Sequence, residues 1–390
     1  MKKMAGFLVI LLVLVLQFPN SISQGNQLVL KAKNELDIAR PSETIVVTTQ
    51  EILKLLKVTD WKTLHITEPG SSQELASQAI DMNGDGTMDL VLFQSDFKGG
   101  ESKSFTVKVG APKYPTRDQF KAYGRFVRER YDDFAWENDH IAHRMYGKAL
   151  ETWQAEPLTS STVDVWTKYT RRLVINDWYM TDNYHADNGD GADYYSAGTS
   201  RGCGGSGIWE NGKLFVSRNF IDTKVIANGP IRVVFELTYA PWDVNGRKIS
   251  EVKRITLDAG QNLDRFESFY KSEPAGQITY GVGIKNFGAA SIQSNKQEGW
   301  LRTWEPLQKG KAGNLGCGII LDPGALVDIT EADGNCLVLG KAPSSPPASY
   351  YAGFGWDKSG DFANVGTWDI YLQQFARRLR SPLKISISLQ

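Results

Sequence analysis

The chain is poor in cysteine and has no excess of charge of either sign. Only 3 of its 390 residues are cysteine, too few for the disulfide framework of a small secreted scaffold. Lysine plus arginine number 44, and aspartate plus glutamate also number 44, so the formal net charge is zero. Because nucleic acids and anionic membranes attract strongly basic surfaces, this balance argues against a nucleic-acid partner.

Long apolar runs are missing everywhere except at the start of the chain. The first residues read MKKMAGFLVILLVLVLQFPNSISQG, where two lysines precede an apolar run and Ser21 and Ser23 have the spacing of a cleavage site. This pattern predicts a signal peptide over residues 1–23, and therefore an exported protein, periplasmic or extracellular. A retained membrane anchor is the alternative. No later segment is apolar enough to span a bilayer, so we expect no membrane partner after cleavage.

The three cysteines allow two interpretations. Cys317 and Cys336 both lie in short strand-like runs, NLGCGIIL and GNCLVLG. They could form a disulfide across neighbouring strands, or both could be buried thiols. Cys203 is the odd residue. We expect it to be a small buried residue, because no base is fixed beside it that would make it a nucleophile.

The order of apolar runs predicts a mainly β protein with two domains. Short alternating runs predict a small N-terminal β-sandwich over residues 24–112. Two prolines in APKYPTRDQF predict a linker over residues 113–130. Strand after strand follows, and in NGPIRVVFELTY the residues from Ile231 to Tyr239 alternate between apolar and more polar positions, as antiparallel sheets do. We therefore expect one large antiparallel β-sandwich over residues 131–390.

A glycine-rich polar segment, Tyr184–Gly205, interrupts this pattern. It reads YHADNGDGADYYSAGTSRGCGG and has too few aliphatic residues for a core strand. The end of this segment, together with the residues that follow it, formally matches a dinucleotide-binding motif. Because a polar loop precedes the motif and a strand-like run follows it, we exclude a nucleotide site. The alternatives are a flexible polar loop and the rim of an active site.

Histidines are scarce, and three of the 4 flank two unusual segments. His140 and His143 lie in ENDHIAHRMYG, and His185 lies in the glycine-rich segment. Read as a strand, ENDHIAHRMYG places Asn138, His140 and Arg144 on one face and His143 on the other. A strand face so polar should border water or a ligand.

A divalent metal is possible but not required by any motif. Histidine and aspartate could hold zinc, yet neither H-x-H nor H-E-x-x-H spacing is present. The stretch DMNGDGTMD resembles the opening of a calcium loop, but Leu92 stands where a bidentate glutamate is needed. A turn rich in Asn, Gly and Asp explains the same residues.

Several long motifs resemble a family long filed as a domain of unknown function, whose genes lie beside those of polysaccharide-degrading enzymes. They are FAWENDHIAHRMYG, DVWTKY, the glycine-rich segment, NGPIRVVFELTY, EVKRITLDAG and YYAGFGWD. Members associated with ulvan breakdown act as oligosaccharide dehydratases, which remove water from a terminal uronic acid and leave a 4,5-unsaturated sugar. The resemblance implies a fold like the galactose mutarotase supersandwich and an acidic oligosaccharide substrate.

That chemistry requires a base near C5 of the uronate, an acid for the leaving hydroxyl group, and a cation for the carboxylate. We predict His185 as base or acid, with Tyr184 or Tyr195 as its counterpart. Arg201, helped by Arg144, is predicted to hold the carboxylate.

Other residues are predicted to support this site. His143, Asn138 and Lys253 are further candidates, and Asp187 and Asp193 could orient the histidine or bind a metal. Trp166 or Trp209 could stack on a sugar ring. The alternatives to a dehydratase are a chain-cleaving polysaccharide lyase, a mutarotase-like epimerase and a carbohydrate-binding protein without turnover.

Overall fold

A computed structural model describes residues 27–389 except 69, 72, 131, 155–157, 160, 288–290 and 346. The predicted signal peptide, residues 1–23, lies outside the described residues. Among the helices of the described part, none has the length and apolarity needed to cross a membrane.

Antiparallel strands dominate the described chain and confirm the predicted mainly β fold class. The strands are β1 Gln27–Lys33, β2 Arg40–Thr48, β3 Leu64–Thr67, β4 Glu74–Leu75, β5 Ser77–Ile80, β6 Leu90–Phe97, β7 Ser102–Val109, β8 Ala122–Val127, β9 Asp133–Asn138, β10 Ala142–Met145, β11 Asp164–Lys168, β12 Gly191–Ala192, β13 Cys203–Glu210, β14 Lys213–Phe215, β15 Phe220–Asn228, β16 Arg232–Val244, β17 Arg247–Asp258, β18 Leu263–Glu273, β19 Thr279–Lys285, β20 Ser291–Asn295, β21 Trp300–Pro306, β22 Asn314–Ile320, β23 Leu326–Ala332, β24 Asn335–Lys341, β25 Ala348–Trp356 and β26 Lys384–Leu389. The helices are α1 Thr49–Leu53, α2 Ile175–Thr181 and α3 Val365–Arg380, with 3₁₀ turns at Trp61–Thr63, Arg117–Gln119, Lys148–Glu151 and Leu307–Gly310.

Two sheets form the N-terminal sandwich, in the orders β26-β1-β7-β3-β4 and β2-β6-β5. Alternate residues of these strands, such as Leu28, Leu30 and Phe105, fill one shared core. The last strand of the chain belongs here, because β26 pairs with β1 from Leu28 to Lys33. The predicted division gave residues 131–390 to the large domain. It did not include the pairing of β26 with the N-terminal sandwich.

Part of the predicted linker is a strand. Residues 113–130 include β8, which pairs with β9 from Ala122 opposite Asn138 to Val127 opposite Asp133. The two prolines that suggested a linker precede this strand and do not interrupt its hydrogen bonding.

Three sheets form the large domain, in the orders β12-β11-β10-β9-β8, β14-β13-β19-β24-β23 and β15-β16-β17-β18-β25-β22-β21-β20. We call them the β8–β12 sheet, the β13–β24 sheet and the eight-stranded sheet. A single apolar core includes side chains from all three. The Phe134 and Phe235 rings, for example, stack with centroids 4.0 Å apart between the β8–β12 sheet and the eight-stranded sheet.

Helix α3 covers the outer face of the eight-stranded sheet at a patch of glycines. A Cβ atom at Gly316 or Gly355 would lie 2.6 or 2.7 Å from the Trp368 ring. The absence of side chains there lets the indole, which is completely buried, approach the backbone of β22 and β25.

All three cysteines are free and buried. Of the two interpretations left open by the sequence, the structure therefore contains the thiols and not the Cys317–Cys336 disulfide. Cys203 donates a hydrogen bond to the Gly353 carbonyl over 3.1 Å, and burial raises the pKa of its thiol well above the ordinary value. Such a thiol is protonated at neutral pH and is not a nucleophile.

Candidate active site

The outer face of the β8–β12 sheet carries a buried cluster of charges. Strand alternation directs Trp136 and His143 into the main core and places Glu137 and Arg144 on the opposite face. Helix α2 and the Tyr184 ring close over that face and pack against the Trp166 indole. Polar groups on this face are therefore shielded from water unless they lie at its rim.

Arg144 is the centre of the cluster. Its Nε atom lies 2.9 Å from Asp164 Oδ2, its Nη2 atom 3.2 Å from Asp193 Oδ2, and its Nη1 atom 3.6 Å from Asp133 Oδ2. Burial alone would lower the pKa of Arg144, but Asp164 and Asp193 hold it well above its usual value. One cation thus faces three buried carboxylates.

Burial changes the protonation of the Asp133 carboxyl group. Burial raises the pKa of its carboxyl group from 3.8 to about 7, although Arg144 and the Gly147 backbone N–H both oppose the rise. Asp133 is completely buried. Its environment therefore favours the protonated form, and folding takes up a proton there at mildly acidic pH.

This shift predicts a pH dependence of stability. A carboxyl whose pKa is raised in the folded state stabilises the fold below pH 4, and that contribution is lost as the pH rises through about 7. The difference in unfolding free energy between the wild type and Asp133→Asn should therefore change with pH. Between pH 4 and about pH 7 the wild type should lose on the order of 2–4 kcal/mol relative to the variant. Denaturant unfolding at a series of pH values measures the difference. The exposed Asp177→Asn provides the control, and parallel pH profiles of wild type and Asp133→Asn would contradict the prediction.

His185 lies at the rim of this cluster. Its side chain is 66% exposed, and its Nδ1 atom lies 3.5 Å from Oδ2 of the buried Asp193. Desolvation and the charge of Arg144 lower the pKa of His185 below its ordinary 6.5, so the imidazole is neutral at neutral pH. A buried carboxylate, fixed by an arginine, thus orients a neutral imidazole at the surface, an arrangement suited to a general base.

Tyr184 supports this imidazole from below. Its ring centroid is 4.6 Å from that of His185 and 4.8 Å from that of Trp166. Its hydroxyl accepts hydrogen bonds from Arg130 Nε at 2.5 Å and from Arg144 Nη1 at 3.4 Å. Because Tyr184 is only 2% exposed, the structure supports a positioning role for it and not the predicted contact with substrate.

The loop between His185 and Asp193 is fixed by its own hydrogen bonds. The Asp193 N–H donates to the Tyr184 carbonyl over 2.7 Å and closes the loop. Asp187 accepts from the Tyr169 hydroxyl at 2.6 Å and from the Gly189 N–H at 2.9 Å. Asp187 therefore holds the turn of the loop, whereas Asp193 is the residue that orients the histidine.

Arg201 and Tyr195 are buried away from this cluster. Arg201 donates to the carbonyl groups of Ser161 and Thr199 over 3.0 and 2.8 Å, and burial lowers the pKa of its guanidinium to about 10. Tyr195 lies in the main core beneath Lys285, whose Nζ is 4.2 Å from the ring centroid. Burial raises the pKa of Tyr195 well above its ordinary value. The structure does not bring these two residues to His185.

His143 and Asn138 have structural contacts only. The His143 Nδ1 atom lies 2.9 Å from the Asp164 carbonyl oxygen, and its Nε2 atom lies 3.2 Å from Asp264 Oδ2 within the core. Asn138 accepts from the backbone N–H of Ile141 and donates to backbone carbonyls with its amide group. Both side chains are completely buried, so the roles predicted for them in substrate binding have no support in the structure.

Of the remaining candidates, Trp166 lies beside Arg144, whereas Trp209 and Lys253 lie in other parts of the fold. Trp166 is completely buried under Tyr184 and has no face for a sugar. Trp209 packs beside Leu214 in a small cluster on the β13–β24 sheet. Lys253 lies between sheets, 2.5 Å from Ser206 Oγ and 3.2 Å from Glu251 Oε1.

Sequence reasoning missed Asp133, Asp164 and Arg130, which complete the cluster. The available signal was an aspartate inside an apolar strand, as in DDFAWEN and VDVWTK, because a buried carboxylate requires a partner. Sequence reasoning also did not identify a partner for His140. In the structure the His140 Nδ1 atom lies 3.0 Å from Asp361 Oδ2.

No group of three or more His, Cys, Asp or Glu within the described part of the chain has the arrangement of a metal site. In the Arg144 cluster the guanidinium occupies the position between the carboxylates. The Asp81 carboxylate accepts hydrogen bonds from the N–H groups of Gly84 and Gly86 at 2.7 and 2.8 Å. These bonds close the loop locally, and the Asn83 Oδ1 atom accepts the Asp85 N–H at 2.8 Å in an Asx turn.

Fold and site together define a β-supersandwich protein with an oriented histidine on its surface. Its fold is similar to that of a solved structure titled an alpha-mannosidase from Enterococcus faecalis V583, with a TM-score of 0.50, 10% identity, and coverage of 93% of this chain and 46% of that one. A second structure, titled a protein in the glycosyl hydrolase family 38 from Enterococcus faecalis, gives a TM-score of 0.50, 9% identity, and coverage of 93% and 48%. The chain thus spans less than half of each, and the similarity concerns the fold alone.

The chain belongs to the family described as "Domain of unknown function (DUF4861)", whose model matches residues 32–385. It is also 32% identical over 369 residues to "Uncharacterized protein P7" of Formosa agariphila, a match that covers 91% of this chain and 92% of the relative. This confirms the predicted membership in a family of unknown function.

Proposed function

We propose that the protein is a carbohydrate-active hydro-lyase that eliminates water from the terminal uronic acid of a polysaccharide-derived, ulvan-like oligosaccharide. The observation that carries the proposal is the exposed imidazole of His185, whose Nδ1 atom lies 3.5 Å from Oδ2 of the buried Asp193. Desolvation and the charge of Arg144 lower the pKa of this imidazole. The resemblance to uronate-acting dehydratases supports the substrate class. The fold shared with two structures titled as glycosidase-family proteins is consistent with a saccharide ligand.

In the proposed reaction, neutral His185 removes the proton at C5 of the uronate. The C5–H electron pair forms the C4=C5 double bond, and the C4–O bond breaks. The imidazolium then gives its proton to the departing hydroxyl, which leaves as water. A single histidine serves as base and acid if both groups leave from the same face of the ring. The buried Tyr184 holds this imidazole in place.

A cation must stabilise the negative charge that develops on the uronate carboxylate. Arg144 is already surrounded by aspartates, so we assign this role to Arg130. Its guanidinium lies over the Trp153 ring at 5.1 Å, and its charge acts on His185. In this proposal Trp153, and not Trp166 or Trp209, provides the aromatic face for the sugar. The N-terminal sequence supports export, which would bring the protein to its polysaccharide-derived substrate.

The test uses the purified protein and saturated oligosaccharides with a terminal uronic acid. We expect ultraviolet absorbance from a conjugated double bond, and products that have lost one water at unchanged chain length. Shorter unsaturated products would identify a chain-cleaving lyase instead. Inversion at C5 without a chromophore would identify an epimerase, and binding with unchanged sugar would identify a non-catalytic protein. Each of these three results would overturn the proposal.

A further inference from the structure

A groove of about 720 Å³ lies between the N-terminal sandwich and the large domain. Its walls include Trp61 and Lys62 from the sandwich, Tyr114 and Phe120 from the connecting segment, and Gly229 and Pro230 from the large domain. No residue of the Arg144 cluster lines it. The groove is therefore a separate concave surface that the proposed reaction does not use.

Aromatic side chains are exposed in this groove. Tyr114 is 70% exposed and Phe120 is 36% exposed, while Trp61 packs partly against the sandwich core. Exposed aromatic rings that lie together in one cleft are typical of a binding surface. Flat faces with a polar edge suit the C–H faces and hydroxyl groups of sugar rings.

Backbone hydrogen bonds fix the groove on both sides. The Lys113 N–H donates to the Lys62 carbonyl at 2.9 Å, and the Gly110 N–H donates to the Thr63 carbonyl at 2.8 Å, which attach the connecting segment to the sandwich. The Lys121 N–H donates to the Pro230 carbonyl at 2.8 Å and attaches it to the large domain. A ligand would thus meet a preformed surface and lose little free energy in ordering it.

Two lysines and two carboxylates line the groove, and Lys62 is the cation that lies beside Tyr114. Lys113 pairs with Glu74, whereas the Lys62 Nζ lies 5.1 Å over the Tyr114 ring. Among the described residues no carboxylate lies within ion-pair distance of Lys62. Asp60 lies nearby, but one of its oxygens accepts the Lys62 N–H in a cap of the 3₁₀ turn. An acidic group on a ligand stacked on Tyr114 could therefore pair with Lys62.

We infer that this groove is a second saccharide site, which binds an acidic oligosaccharide chain on Tyr114 and Trp61 with Lys62 as its cation. The choice of saccharide rests on the proposed function, but binding in the groove requires none of the proposed chemistry. The site would hold a longer chain at a second point and raise its effective concentration at the enzyme.

The test is calorimetric titration of an acidic oligosaccharide of several units into the full chain carrying His185→Ala, which is expected to slow turnover. We expect two binding events per chain, of which Tyr114→Ala weakens one about tenfold or more. Lys62→Met should weaken the same event for acidic but not for neutral oligosaccharides. Phe287→Ala, which removes another exposed aromatic ring, is the matched control, and thermal unfolding checks that all variants fold.

The possible results separate this inference from the proposed reaction. A single binding event that Tyr114→Ala leaves unchanged would overturn the groove site even if the wild type dehydrates its substrate. Tyr114-dependent binding by a wild type that forms no unsaturated sugar would support the groove and refute the reaction.

Discussion

His185→Ala is expected to lower the rate of unsaturated-sugar formation by about 10²–10⁴-fold, the typical contribution of a positioned general base. The folded structure should be unaffected, because the side chain is mostly exposed and contacts the cluster through Asp193. The measurement is the initial rate of chromophore formation at saturating substrate, with the thermal midpoint as a check of folding.

The pH profile of the wild type tests the same assignment. His185 must be neutral to accept a proton, and its pKa is lowered from 6.5. Activity should therefore stay constant as the pH falls from neutrality and decline only below the lowered pKa of the imidazole. His140→Ala is the matched control, because His140 is a second histidine that pairs with a carboxylate. This variant should retain activity. Equal losses in the two variants, or an unchanged rate in His185→Ala, would refute the role of His185.

Arg144→Leu is expected to cost about 3–5 kcal/mol of unfolding free energy, as removal of one partner from a buried ion pair does. The substitution leaves Asp133, Asp164 and Asp193 together in a buried space without their cation. Denaturant unfolding at neutral pH measures the loss. Arg172→Leu is the control, because its guanidinium is about half exposed while it pairs with Asp177 and Asp190. A surface pair of this kind contributes about 0–1 kcal/mol.

The loss of unfolding free energy caused by Arg144→Leu should become smaller as the pH falls. Without the cation, the pKa of Asp133, which burial already raises, rises further in the folded state, so the variant takes up a proton on folding at a higher pH than the wild type does. Protonation of Asp133 removes its repulsion with the neighbouring carboxylates, and wild-type and variant stabilities converge in acid. If Arg144→Leu were no more destabilising than Arg172→Leu, the Arg144 cluster would not be the buried charge centre described above.

Particular elements show which properties could be predicted from local sequence. The alternation of NGPIRVVFELTY predicted β16, and in the structure Val233, Phe235 and Leu237 are completely buried. Local alternation could not show that β26 returns to pair with β1, because strand pairing between distant segments depends on the whole chain. In the structure the glycine-rich segment lies against β10, where Tyr184, His185 and Asp193 surround Arg144.

The candidate site was only partly predictable for a related reason. Alternation placed His143 and Arg144 on opposite faces, but it did not say which face the core would cover. Lys253 and Arg201 were chosen for their charge, and the fold buries both with other partners. Residue type predicts what chemistry a side chain can perform, whereas its exposure depends on what packs over it.

The sequence by itself determined the mainly β class, the strand periodicity and the family, because these depend on the local order of apolar and polar residues and on long motifs. Only the tertiary structure decided that Asp133, Asp164 and Asp193 share one arginine, that His185 alone of the predicted catalytic residues reaches solvent, and that a groove separates the two domains. Those properties arise from contacts between segments far apart in the chain, where burial and charge pairing change the behaviour of each group.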